Sequence, residues 1–469
     1  MRIKHYAYSE SYFLYNVLHL VMNKKNHLIQ GPVTQKLISL SIPMVFGMLS
    51  MVLFNLVDTF FVSRLGTEEL AAMGFTFPVV MFIISIALGF GIATSSVVSR
   101  AIGRGDHRQV RRLTTDSLII SLFFVVIFAV LGLFSMDWVF RLLGADGNTL
   151  PLVKQYMRIW YLGVAFVVIP MVGNNAIRAC GDTFFPSMIM IVSTIVNVVL
   201  DPLLIFGLWG FPRLGLEGAA IATVIARAVG LVFSLLILHF KEKLIDFTLP
   251  PLEDLIDSVK QIFYIGIPSA ASRLLMPFSI AVIMRLVAKF GTAAVAAFGV
   301  AVKIEMFVFV LIMALATALI PFVGQNWGAK NFSRVKDAVK KANVFSLWLG
   351  LGSFAVFLVF AVPLGHVFGK DIEVAKHITL YLWIMPVSYG LRGCTFLVVS
   401  AFNAMNKPLL AIGLNLVRMF ALYIPLAVIG SRLAGLTGLF VGSCLANLVA
   451  GILSIGIGRS VLQNSSIHT

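Results

Sequence analysis

The chain has 469 residues, of which 59% are hydrophobic and 12% charged. With a mean hydropathy of +0.97, this composition excludes a soluble globular domain and points to a polytopic membrane protein. The 36 Lys+Arg against 20 Asp+Glu give a net charge of +16; no basic stripe with interleaved aromatics appears, so nucleic acid is not expected as a partner, and the cations gather in alternate short loops as the positive-inside rule describes.

Taken in order, residues 1–30 hold the apolar stretch Tyr12–Met22, which is too short to span and lacks a small-residue cleavage site, so it does not read as a signal peptide. Met22 precedes Asn-Lys-Lys, a suitable cytosolic start, and the piece upstream reads as a dispensable extension; an interfacial helix is the alternative. Twelve apolar segments follow, over 36–63, 76–100, 115–135, 152–177, 185–208, 217–239, 260–288, 299–322, 343–364, 378–401, 409–430 and 436–458. They predict an all-α fold of twelve transmembrane helices, with an N-lobe over 31–240, a charged cytosolic linker over 241–259, a C-lobe over 260–460 and a tail over 461–469. The loops after segments 2 and 8 are basic (Arg100 to Arg112; Lys330 to Lys341) and those after segments 1, 3 and 9 mixed or acidic, which places both termini in the cytosol.

The halves repeat at an offset of 225: Ile42-Pro43 matches Ile267-Pro268, Gly103 matches Gly328, Val110-Arg111 matches Val335-Lys336 and Tyr156 matches Tyr381. With small gaps, Gly215–Gly218 matches Gly435–Gly438. Six spans return the chain to the same side, so the repeat is parallel and predicts two lobes related by a pseudo-two-fold axis along the membrane normal.

Charge inside the spans is where function is expected. The first span carries Pro43, which removes a helical hydrogen bond and makes a place to bend, and Asp58, a titratable group in hydrocarbon. A pair with a fixed internal partner is the plainer reading of Asp58. Asn197 and Asp201 are i,i+4 and share a helix face; Thr223 follows in segment 6. Asp201 also stands directly before Pro202, and a solvated helix end is its alternative. If Asp58, Asn197, Asp201 and Thr223 converge they form an all-oxygen cluster, suited to a proton shared between two carboxylates or to a hard cation such as Na⁺. The second half instead holds Arg273, Arg285, Lys303, Glu305, Arg392 and Arg418, read mainly as interhelical pairs or snorkelling chains. Lys303 and Glu305, two apart, are not expected to pair with each other. Cys180, Cys394 and Cys444 fit no metal spacing and no disulfide framework, and no His-Glu-x-x-His or Walker loop points to an enzyme.

Asn55–Gly66, Ala101-Ile-Gly-Arg-Gly-Asp106, Asn175–Asp182 and Gln325-Asn-Trp-Gly-Ala-Lys330 are similar to signatures of the multidrug and toxic compound extrusion (MATE) family, and the resemblance covers roughly residues 31–460. It implies antiport of organic cations or drugs against H⁺, with Na⁺ the alternative ion, by a monomer without cofactors in a bacterial inner membrane. Asp58 and Pro43 match the first-helix aspartate and the bending proline of one prokaryotic branch. Asn197, Asp201, Thr223 and Tyr156 match its cation network. The other bacterial branch carries acids where Met276 and Arg392 align, so the resemblance places ion coupling in the first lobe. A lipid-linked oligosaccharide flippase of the same superfamily is the alternative function, for which the second-half arginines speak.

Overall fold

A computed structural model describes residues 28–246, 248, 251–369 and 371–465. Most of the proposed N-terminal extension, residues 1–27, lies outside the described residues. The described residues form helices and turns, with no strand among them. In hydrocarbon only a helix satisfies every backbone group within one segment.

The N-lobe comprises α1 (Val33–Ser63), α2 (Thr67–Arg104), α3 (His107–Leu142), α4 (Thr149–Ala179), α5 (Phe184–Phe206) and α6 (Gly215–Leu236, running on through a wide π turn, Ile237–Lys241). The C-lobe comprises α7 (Leu252–Val287), α8 (Thr292–Gly328), α9 (Phe332–Phe368) and α10, made of Ile372–Ile384 and Tyr389–Ala404 joined by a 3₁₀ turn. Local chemistry sets the ends. Asp106 caps α3 by accepting from the Gln109 N–H at 2.9 Å, the Asp182 carboxylate accepts from the Phe184 and Phe185 N–H groups at the start of α5, and Gly105, at φ +77°, closes α2.

The last helical run, Pro408–Asn464, has 57 residues, about 85 Å at 1.5 Å per residue, against a hydrocarbon core of about 30 Å. It is two helices. Ala434 and Gly435 leave the helical region, Gly435 at φ +58°, and the chain turns back so closely that a Cβ on Gly430 would strike the Gly438 carbonyl and one on Gly438 the Gly430 carbonyl. α11 therefore runs from Pro408 to this break, with a π turn at Val417–Tyr423, and α12 follows it. That makes twelve membrane helices among the described residues, in the two lobes expected.

The residues between the lobes are partly structured. α7 begins at Leu252, earlier than the hydropathy rise at 260; Asp254 in its first turn pairs with Arg112 of α3 at 2.5 Å, and Asp246, before the helix, pairs with Arg111 of α3 at 3.6 Å. A cleft of about 940 Å³ lies beneath it between α3 and α6.

The two-fold repeat is visible in individual contacts where the lobes meet, at the end bearing the basic loops. A Cβ on Gly103 would strike the Gln325 carbonyl oxygen, and a Cβ on Gly328 would strike the Arg100 carbonyl oxygen. These two contacts exchange under the offset of 225. The hydrogen bonds exchange too: Gln325 Nε2 donates to the Ala179 carbonyl at 2.8 Å and Arg100 Nη1 to the Ala404 carbonyl at 3.1 Å. Ser99 and Gly324, equivalents of each other, touch across the crossing of α2 and α8. The axis passes between these two helices. A branched side chain at either glycine overpacks the crossing, which costs about 1–3 kcal/mol. Gly103→Val and Gly328→Val are expected to lower the melting temperature in detergent by similar amounts, because they insert the same group at equivalent places. A wild-type melting curve for either would contradict the crossing.

α1 belongs to both lobes. Its base is held by the C-lobe: Leu28, Val33, Leu37 and Leu40 sit in the C-lobe core. Arg334 donates to the carbonyls of Leu28, Gln30 and Gly31, and Asn326 donates to Leu28. Its upper part lies on α5 of the N-lobe, where a Cβ on Gly47 would press on Ser187 at 3.1 Å and Thr194 Oγ1 donates to the Ser50 carbonyl at 3.1 Å. Pro43 falls between the two halves. In this structure α1 is one unbroken helix through it.

Candidate functional site

Met44, Gly47, Phe54 and Asp58 recur at near-helical spacing and are all buried, forming one stripe of α1 that lies against α5. Asp58 stands five residues before the end of α1 and Asp201 five before the end of α5. Both helices rise from the basic-loop end, so the two carboxylates reach the same level near the acidic-loop end. Asp58 is 5% exposed, Asn197 and Asp201 0%.

Asn197 Nδ2 donates to Asp201 Oδ1 at 3.0 Å along one face of α5, as the i,i+4 spacing requires. Asp201 is buried in the helix interior, so the solvated helix end considered for it does not describe this structure. The charges of Asp58 and Asp201 act on each other, and Tyr156, from α4, is within electrostatic reach of both. Thr223 is buried on α6, but its hydroxyl has no hydrogen bond to the cluster.

Arg227 is the residue sequence reasoning passed over. It lies one helical turn after Thr223, acts electrostatically on Asp58 and Tyr156, and stacks its guanidinium 4.4 Å above the Phe54 ring. The available signal was a lone arginine in an apolar span, i,i+4 from a polar residue already under suspicion.

One oxygen on each of Asp58, Asn197, Asp201 and Thr223 is buried without a hydrogen-bond partner. Unpaired buried acceptors are costly; a proton on a carboxylate, or a hard cation drawn to oxygen, would satisfy them. These four residues fit a Na⁺ by donor type. Among the described residues no group of three or more His, Cys, Asp or Glu side chains stands together as a multivalent metal site would need.

The C-lobe holds a counterpart of different chemistry. Ile283 and Tyr381, the repeat equivalents of Asp58 and Tyr156, line a small cavity with Glu305, Arg392, Arg418, Tyr423 and Asn447. Glu305 receives Arg392 Nη1 in an ion pair and accepts the Tyr381 hydroxyl at 2.6 Å. The interhelical pairing read from the sequence is thus realised between α8 and α10, while Lys303 is exposed and Glu305 buried.

The MatE family model matches residues 43–203 and 268–429, two blocks that begin at the equivalent prolines Pro43 and Pro268. The chain is 36% identical over 442 residues to a FAD transporter of Shewanella oneidensis, covering 94% of this chain and 98% of that one. It is 26% identical to the multidrug export protein MepA of Staphylococcus haemolyticus, over 93% of this chain and 96% of the other. Its structure is similar to that of the Vibrio cholerae MATE transporter VcmN in the bent form, with a TM-score of 0.89 and 33% identity, covering 93% of this chain and 98% of that one.

Proposed function

The chain belongs to the MatE family of multi-pass membrane transporters, and from that premise we propose that it exports amphipathic organic cations in exchange for protons, with Asp58 as the coupling group. It is a transporter, not an enzyme. The reading further takes the basic-loop end as cytosolic, the bacterial inner membrane as its location, and a monomer without cofactors as the working unit. The relatives reported above are named a transporter and an export protein, so export is kept over the flippase.

The observation that carries the mechanism is the division of α1 at Pro43. Below it the helix is clamped into the C-lobe core; above it a single stripe ending in Asp58 lies on the N-lobe. A proton on Asp58 removes the attraction between its carboxylate and Arg227, the cation seated over Phe54. The upper half of α1 is then less firmly held, and it bends most easily at Pro43, where a helical hydrogen bond is already missing. Bending peels the stripe from α5 and closes the space a cargo cation would occupy beside the carboxylates. Loss of the proton to the cytosol restores the straight helix and the negative site. Proton and cargo compete through one two-state element, so each lowers the other's affinity by the same factor.

The test is loading of a fluorescent organic cation into inverted membrane vesicles under an imposed pH gradient or an imposed Na⁺ gradient. Protons alone are expected to drive accumulation. Accumulation driven only by Na⁺ would keep the oxygen cluster and change its ion. Failure to move any organic cation would overturn the reading. One observation favours a second cargo class. The chain shares 36% identity over nearly its whole length with a protein named a FAD transporter, and a flavin dinucleotide joins a flat aromatic system to an anionic pyrophosphate. Accumulation of that compound in place of the dye would reassign the cargo and leave the proton step intact.

A further inference from the structure

We infer that the C-lobe cavity is an oxyanion subsite, which seats a single carboxylate or phosphate group of the exported molecule on Arg418 and Asn447. The inference deepens the export reading and rests on it.

Charge comes first. The cavity contains two guanidinium groups and one carboxylate. Arg392 is neutralised by Glu305, which Tyr381 also holds. Among the described residues no carboxylate lies within ion-pairing distance of Arg418, and its Nε is buried without a hydrogen-bond partner. The cavity therefore carries one uncompensated positive charge in a low-dielectric setting, where a counter-ion is strongly favoured.

Hydrogen bonding comes second. Asn447 is 1% exposed and lines the cavity, yet neither its Oδ1 nor its Nδ2 has a partner. A buried amide left this way is costly unless something arrives to bond it.

Backbone and position come third. Arg418 and Tyr423 lie in the π turn Val417–Tyr423 of α11, an irregularity that widens the helix and is frequent at functional sites. Arg418 is ten residues past Pro408, about 15 Å along the helix, near the middle of a bilayer core of about 30 Å. That depth is too great for a routine snorkelling arginine. It is the depth at which transporters of repeated architecture place their cargo. The cavity of about 70 Å³ holds roughly two water volumes, so it accepts one compact group and leaves the body of the cargo outside.

The test is direct binding to the purified full-length protein in detergent, read by fluorescence anisotropy. Three probes share one planar xanthene dye: one with a free carboxylate, one with a phosphate monoester, and one with its carboxylate esterified. Arg418→Gln is expected to weaken binding of the anionic probes at least tenfold, about 1.4 kcal/mol, while leaving the ester within twofold. Arg418→Lys should restore most of the loss, because it restores the charge. Asn447→Leu should weaken the same two probes. Comparison of the carboxylate and phosphate probes identifies which oxyanion is preferred. Equal loss for anionic and ester probes would make Arg418 merely structural and overturn the subsite. So would an unchanged affinity for all three in a variant that melts like the wild type. If wild type binds no anionic probe but still exports organic cations, the subsite fails and the export reading stands; if it neither binds nor exports, both fail.

Discussion

Asp58→Asn is expected to abolish the dependence of export on the pH gradient in a protein that still folds. One pH unit is worth about 1.4 kcal/mol per proton, so with one proton exchanged per cargo molecule the steady-state accumulation ratio of the wild type should change about tenfold per pH unit. In the Asn variant that slope should fall to zero, leaving only the leak seen without a gradient. A ligand that binds two states equally shifts nothing, however tightly it binds, and without the carboxylate the proton has no differential grip on the straight and bent forms of α1. Asn keeps the shape of Asp58 at a position 5% exposed, so packing against α5 is preserved. Asp58→Glu, which keeps a titratable group, should retain part of the slope. A wild-type slope in Asp58→Asn would move the coupling to another group, with Asp201 the first to try.

Glu305→Gln is the variant expected to harm stability most. It leaves Arg392 and Arg418 as two half-buried cations in one cavity, with no carboxylate to answer them. Breaking a buried ion pair by removing one partner costs about 3–5 kcal/mol, since the remaining charge is stranded. The double variant Glu305→Gln/Arg392→Gln removes one of those charges and should be less damaged than the sum of the single variants. The coupling energy from the double-mutant cycle is expected to be about 2 kcal/mol or more, measured by thermal unfolding in one detergent. Tyr381→Phe should cost less, about 1.5–3 kcal/mol, for the loss of one hydrogen bond to a charged group. Additive behaviour of Glu305 and Arg392 would mean that the pair is hydrated and contributes little.

Much of the candidate site could be read in one dimension. Asn197 and Asp201 were placed on one face by an i,i+4 spacing, and the structure joins them at 3.0 Å. The repeat ties Tyr156 to Tyr381; Tyr381 donates to Glu305 at 2.6 Å, while Tyr156 is within electrostatic reach of Asp58 and Asp201. Arg227 escaped notice because nothing local distinguishes an arginine that faces a carboxylate on another helix from one that snorkels. The partner of Glu305 is equally invisible in sequence: Arg392 is 87 positions away, and the nearer cation, Lys303, is exposed and makes no ion pair with it.

Hydropathy, loop charge and a fixed offset are properties of residue order alone, so the number of spans, their alternating charge and the two-fold repeat follow directly from it. The in-span positions of Asp58, Asp201, Glu305, Arg392 and Arg418 are equally matters of residue order. What those charges do depends on the packing of the helices, and the fold settles it. It set Arg227 over Phe54 and gave Glu305 to Arg392. It left Arg418 without an acid and divided α1 at Pro43 between the cores of two lobes. The reason is physical: each of these outcomes depends on which helix faces meet across the bundle, and a helix with apolar residues all round, as a membrane permits, does not announce its inner face through its own sequence.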